Sequence, residues 1–185
     1  MAITKLDPNA ALVLIDLQKG VVGFPTVHPM NVIVGRAAQL ARAFRERGLP
    51  VVLVNVTGMA PGRTEVGRPK FAFPEGWTEL VPELQQQPSD FLVSKERVGA
   101  FIGTPLDGYL RERGVTQVVL SGVSTSSGVE ATARSAYDLG YNVAFVMDAM
   151  TDLSEDMHRN SVEKAFPKLG ETDTTESVLK LLKEA

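Results

Sequence analysis

The chain alternates short apolar runs with amphipathic stretches from end to end. Residues 10–15 (Ala10-Ala-Leu-Val-Leu-Ile15) are apolar without a break and stop at Asp16. A run without alternation suits a strand covered on both faces, as parallel sheets require. Residues 32–47 then follow a helical period, with Val34, Ala37, Ala38, Ala41 and Phe44 on one side. Gly48 and Pro50 supply the stop. A second apolar run, 51–56, completes a strand–helix–strand unit.

The rhythm breaks over residues 57–90, where glycine and proline recur. Long excursions in compact domains are functional or disordered. Phe71, Phe73 and Trp77 speak against plain disorder, so this stretch is read as a lid or a subunit-contact segment. Regularity returns with strands expected at 91–93, 117–120 and 142–147, and helices at 104–113 and from Ser126 or Ser127 to Leu139. Ser154 is expected to cap the next helix. The last helix is expected to begin near Asp173, whose spacing to Glu176 is capping-box-like. The pattern predicts one domain over 1–185, a three-layer α/β/α sandwich with a mainly parallel sheet of about six strands.

Composition narrows the function. Of 185 residues, 44% are hydrophobic, enough for a substantial core, and the net charge is -3. That charge disfavours nucleic acid as a partner. The chain has no cysteine, which excludes disulfides, thiolate metal sites and cysteine nucleophiles. The N-terminal residues carry no apolar signal core and no apolar run is long enough for a membrane. A cytoplasmic protein acting on a small molecule is expected.

Ligands of open parallel sheets bind beyond the carboxyl ends of the strands. Here those ends carry Asp16, 55–57, Ser94 and Lys95, 121–127 and Asp148. Asp16 and Lys95 form either a proton-transfer pair or a structural ion pair. The small residues of Ser121-Gly-Val-Ser-Thr-Ser-Ser-Gly128 let backbone approach a ligand, or simply serve the turn. Phe24, Trp77 and Phe101 are candidates for an apolar pocket or for core. The two histidines, His28 and His158, show no metal-ligand spacing, and His158 is read as an exposed helix residue.

Three motifs in order resemble the isochorismatase-like hydrolase superfamily. They are Ala11-Leu-Val-Leu-Ile-Asp-Leu-Gln18; Lys95-x-x-x-Gly99-Ala-Phe-x-Gly-Thr-Pro-Leu106; and Ser121-Gly-Val-Ser-Thr125 followed by Gly128-Val-Glu-Ala-Thr-Ala-Arg134, Ala136 and Gly140-Tyr141. The resemblance implies an α/β/α hydrolase of small molecules, in homo-oligomers, with Asp16 and Lys95 as catalytic residues. It also implies a cis peptide between Val123 and Ser124, and backbone donors at Ser124 and Gly128. The family's nucleophilic cysteine aligns with Gly128, so the acyl-enzyme route is closed. Members similar to isochorismatase share that glycine; they protonate a vinyl ether with the aspartate and let water finish. Gln18, Thr125 and Ser127 are carried as further substrate contacts beside Phe24, Trp77 and Ser124. Nicotinamidase-like relatives bind metal through Asp-x-His-x-His after the second strand. Here that region reads Asn55-Val-Thr-Gly-Met-Ala60, so neither a metal nor another cofactor is expected. The resemblance thus suggests a hydrolase of a small, anionic metabolite. A metabolite-binding protein without catalysis and an amidase using water directly are the alternatives.

Overall fold

A computed structural model of the chain describes residues 2–65, 67 and 73–184. Phe71, one of the aromatics of the long excursion, lies outside them. Strands β1 (Ala10–Ile15), β2 (Val51–Val56), β3 (Phe91–Lys95), β4 (Gln117–Val123), β5 (Asn142–Thr151) and β6 (Glu171–Asp173) form one sheet. Its order is β3-β2-β1-β4-β5-β6 and every neighbouring pair is parallel. The expected α/β architecture is therefore present, with helices on both faces.

The unbroken apolar run of β1 is explained by those two faces. A short helix, α1 (Lys19–Val22), follows β1, and Leu12 and Leu14 pack with α2 (Met30–Glu46) and α6 (Thr175–Glu184), through Ile33, Ala37, Leu40, Phe44, Val178 and Leu182. Ala11, Val13 and Ile15 point the other way. They meet α3 (Leu106–Glu112) and α4 (Glu130–Asp138) through Leu106, Leu110, Ala133 and Ala136. The edge strand β3 instead alternates buried and exposed positions. Phe101 is core rather than pocket.

Several boundaries differ from the sequence reading. β6 was not anticipated: Asp173 closes this strand and accepts the Ile3 N–H at 3.1 Å, so it does not begin the last helix. Thr174 takes the capping role, its Oγ1 accepting the Ser177 N–H at 3.3 Å. β5 runs on to Thr151, past the charge at which the apolar pattern stops. Asp148 therefore lies within a strand, bonded to Thr175 and paired with Arg36 at 3.2 Å. Ser126 and Ser127 do not cap a helix through their side chains. They sit in a π-turn, Thr125–Val129, that leads into α4; such turns often mark functional sites. Ser154 does cap α5 (Glu155–Asn160). Among the described residues no helix is long and apolar enough to cross a membrane.

Candidate active site

The strand order reverses at β1, whose neighbours are β2 on one side and β4 on the other. A crevice opens beyond the carboxyl ends at such a switch point. Asp16 follows β1 there, and the 124–128 turn follows β4. Asp16 is 7% exposed with φ +53°, a left-handed conformation uncommon for a residue with a side chain. Lys95, the last residue of β3, reaches across β2 and donates from Nζ to Asp16 Oδ2 at 2.7 Å. The ammonium is 2% exposed and also reaches the Arg97 carbonyl at 3.4 Å.

Burial pushes the Asp16 carboxyl up to about 6, against the lowering pull of the Lys95 charge and its hydrogen bond. Oδ2 is held by Lys95, whereas the buried Oδ1 has no hydrogen-bond partner among the described residues. Such a buried oxygen without a partner is costly and calls for an explanation. Both residues line a cavity of about 260 Å³.

Phe24, Trp77, Ser124, Ser127 and Gly128 line the same cavity. The Val123–Ser124 peptide is cis, as the resemblance implies. Gly128 is pressed against β1: a Cβ there would stand 2.9 Å from Ile15 Cγ2 and 3.3 Å from Asp16 Oδ2.

Two expected contacts lie elsewhere. Gln18 is fully buried beneath the cavity, its Oε1 accepting the Val56 N–H at 2.7 Å. Its Nε2 donates to the carbonyls of Val56 and Trp77. It ties β1 to β2 and the excursion by satisfying backbone groups. Thr125 is also fully buried, with Oγ1 2.8 Å from His158 Nδ1. His158 is accordingly half-buried rather than exposed, and its ring meets that of His28 at 4.8 Å. Periodicity cannot show this, because the two rings are brought together by the fold from opposite ends of the chain.

Val56, Gly58, Met59, Phe73 and Leu153 complete much of the lining and were not anticipated as contacts. Glycine and proline density flagged the excursion that holds Gly58, Met59 and Phe73, without marking which side chains turn inward. Leu153 is reached only because β5 runs on past residue 147.

Comparison with known proteins adds an independent line. A family profile described as the isochorismatase domain matches residues 10–177. The uncharacterized isochorismatase family protein YwoC of Bacillus subtilis (strain 168) is 38% identical over 182 residues, covering 95% of each chain. An isochorismatase family protein from Burkholderia thailandensis superposes with a TM-score of 0.94 at 40% identity, over 98% of this chain and 100% of that one. N-carbamoylsarcosine amidase from Thermoplasma acidophilum superposes at 0.76 with 27% identity, over 91% of this chain and 97% of that one.

Proposed function

The chain belongs to the isochorismatase family of hydrolases, and we propose that it hydrolyses a small enol ether by protonation from Asp16, without a covalent enzyme intermediate. The observation that carries this reading is the divided carboxyl of Asp16. One oxygen is bound to Lys95 and the other, buried in the wall of the cavity, has no partner among the described residues. A carboxyl pushed up to about 6 can hold a proton near neutral pH. Gly128, beside it, has no side chain to attack a substrate.

In this reaction Asp16 gives its proton to the terminal CH2 of R–O–C(=CH2)–R′, leaving an oxocarbenium ion. Water adds to the cationic carbon and its proton returns to the Asp16 carboxylate. The resulting hemiketal breaks its C–O bond to release ROH and the methyl ketone. Lys95 stabilises the carboxylate while the cation exists. The backbone N–H groups of Ser124 and Gly128 are the candidates for holding the departing oxygen.

A second reading, direct attack of water on an amide, is favoured by the similarity to N-carbamoylsarcosine amidase. There Asp16 must be ionised to take a proton from water. The pH dependence of kcat/KM on enol ethers and small amides separates the two. Acid catalysis declines as pH rises through about 6, whereas base catalysis rises through the same value. Ketone release identifies the first route and ammonia the second. Asp16→Asn is expected to lower either activity about a hundredfold or more. A variant with native rates would overturn the assignment of Asp16.

A further inference from the structure

Two of the three sequence motifs meet at one buried hydroxyl. Thr132, in the first half of α4, is fully buried. Its Oγ1 donates to the Gly128 carbonyl at 2.6 Å and accepts the Ala100 N–H at 3.0 Å. A helical serine or threonine can bond back to the carbonyl four residues earlier for purely local reasons, as Ser135 does to Ala131 at 3.2 Å. The second bond sets Thr132 apart, because it reaches 32 residues back to the segment that follows Lys95.

Residues 95–100 are held at both ends. Lys95 closes β3, paired in register with Val56. Ala100 is held by Thr132. Between them the Arg97 carbonyl lies 3.4 Å from Lys95 Nζ. The Gly99 backbone rests on α4, where a Cβ would stand 3.1 Å from the Ala131 carbonyl oxygen.

The same hydroxyl fixes Gly128 on its other side. That glycine lies against Asp16, its Cβ position 3.3 Å from Oδ2, the oxygen that Lys95 holds. Lys95 and Gly128 thus approach one carboxyl from two parts of the fold, and Thr132 is bonded to both parts. A hydroxyl can donate and accept at once. Valine, of nearly the same shape, can do neither.

We propose that Thr132 is a positioning residue: its hydroxyl sets the spacing between the Lys95 segment and the Gly128 turn, and so holds the Lys95 ammonium against the Asp16 carboxyl in the geometry that proton transfer requires. It acts through two backbone groups rather than by touching substrate. This rests on the reading of Asp16 as the proton donor.

Thr132→Val and Thr132→Ser separate positioning from packing. Valine keeps the volume and removes both bonds; serine keeps both bonds and loses a methyl group. Asp16 is followed through the NMR signal of its carboxyl carbon, assigned by its loss in Asp16→Asn, and in the native protein is expected to titrate at about 6. In Thr132→Val the Lys95 segment is released and the pull of the ammonium weakens. The midpoint is expected to rise by about half a pH unit or more. On an enol ether or amide that the protein turns over, kcat should fall about tenfold or more, with KM changed less than about threefold. Thr132→Ser should titrate and turn over as the native protein does. Thr132→Ala, which leaves room for water at both backbone groups, carries the same expectation as valine and serves if the valine variant does not fold. A folded valine or alanine variant whose midpoint stays or falls and whose kcat is native, with stability alone reduced, would overturn the proposal. So would a serine variant as impaired as valine. The midpoint is read without turnover, so native rates in Asp16→Asn would sink the catalytic reading while the Thr132 variants still decide whether the hydroxyl holds the pair.

Discussion

At position 128 the absence of a side chain does two things. It removes any nucleophile, and it lets the π-turn lie against Ile15 and Asp16. A methyl group there would press on the fully buried Ile15 at 2.9 Å and crowd Asp16 Oδ2 at 3.3 Å. Gly128→Ala is expected to destabilise the protein by about 1–3 kcal/mol through overpacking and to lower turnover by displacing the carboxyl. Urea denaturation read beside steady-state rates checks both; unchanged stability would mean that the turn yields freely. That Asp16 and Gly128 would lie together at the candidate site was legible because the motifs that carry them are local. The roles of Gln18 and Thr125 were not, because each is decided by a partner from another part of the chain: the Val56 and Trp77 backbone for one, His158 for the other.

The elements behind the π-turn form a coupled set. α5 carries His158 to Thr125, while His28, ahead of α2, places both its N–H and its Nδ1 3.1 Å from Thr151 Oγ1. Asp152 Oδ2 accepts the Ser126 N–H at 2.7 Å. The carboxyl ends of β4 and β5 are thus clamped by polar groups beneath the candidate site. Burial, then the neighbouring His28, hold His158 below its ordinary value of 6.5. The unfolded chain therefore takes up that proton at a higher pH than the folded one. The stability from neutral His158 is fully present above about 6.5 and is lost as pH falls through the folded value. Asp16 acts in the opposite sense, since its folded value is raised from 3.8 to about 6 and the folded state takes up the proton first. His158→Gln, which keeps a polar group for Thr125 without a titrating ring, is expected to flatten the acid-side loss of stability. Denaturation midpoints at pH 5 and pH 7.5 measure it, and an identical acid loss in the variant would remove His158 from the account.

For the molecule as a whole, the decisive feature is the approach of β1 to β4 at the point where strand order reverses. Gly122 pairs with Ile15 at φ +121°, and a Cβ there would stand 2.1 Å from the Ile15 carbonyl oxygen. No side chain fits without separating the two strands that carry Asp16 and the π-turn. Gly122→Ala is expected to cost about 4 kcal/mol or more, read as a large fall in the unfolding midpoint or in the yield of folded protein. A midpoint close to native would show that the sheet can open here at little cost.

The sequence by itself determined the layer architecture, because a parallel sheet covered on both faces demands unbroken apolar runs, and these stop at charges or turns that a reader can see. It also marked Asp16 and Lys95, since strand ends are where such a sheet exposes its chemistry. Only the tertiary structure decided which oxygen of Asp16 is left without a partner among the described residues, how far β5 runs, and that Phe73, Trp77 and Leu153 share one wall. Those outcomes depend on contacts between segments far apart in the chain, and periodicity reports only a residue's own face.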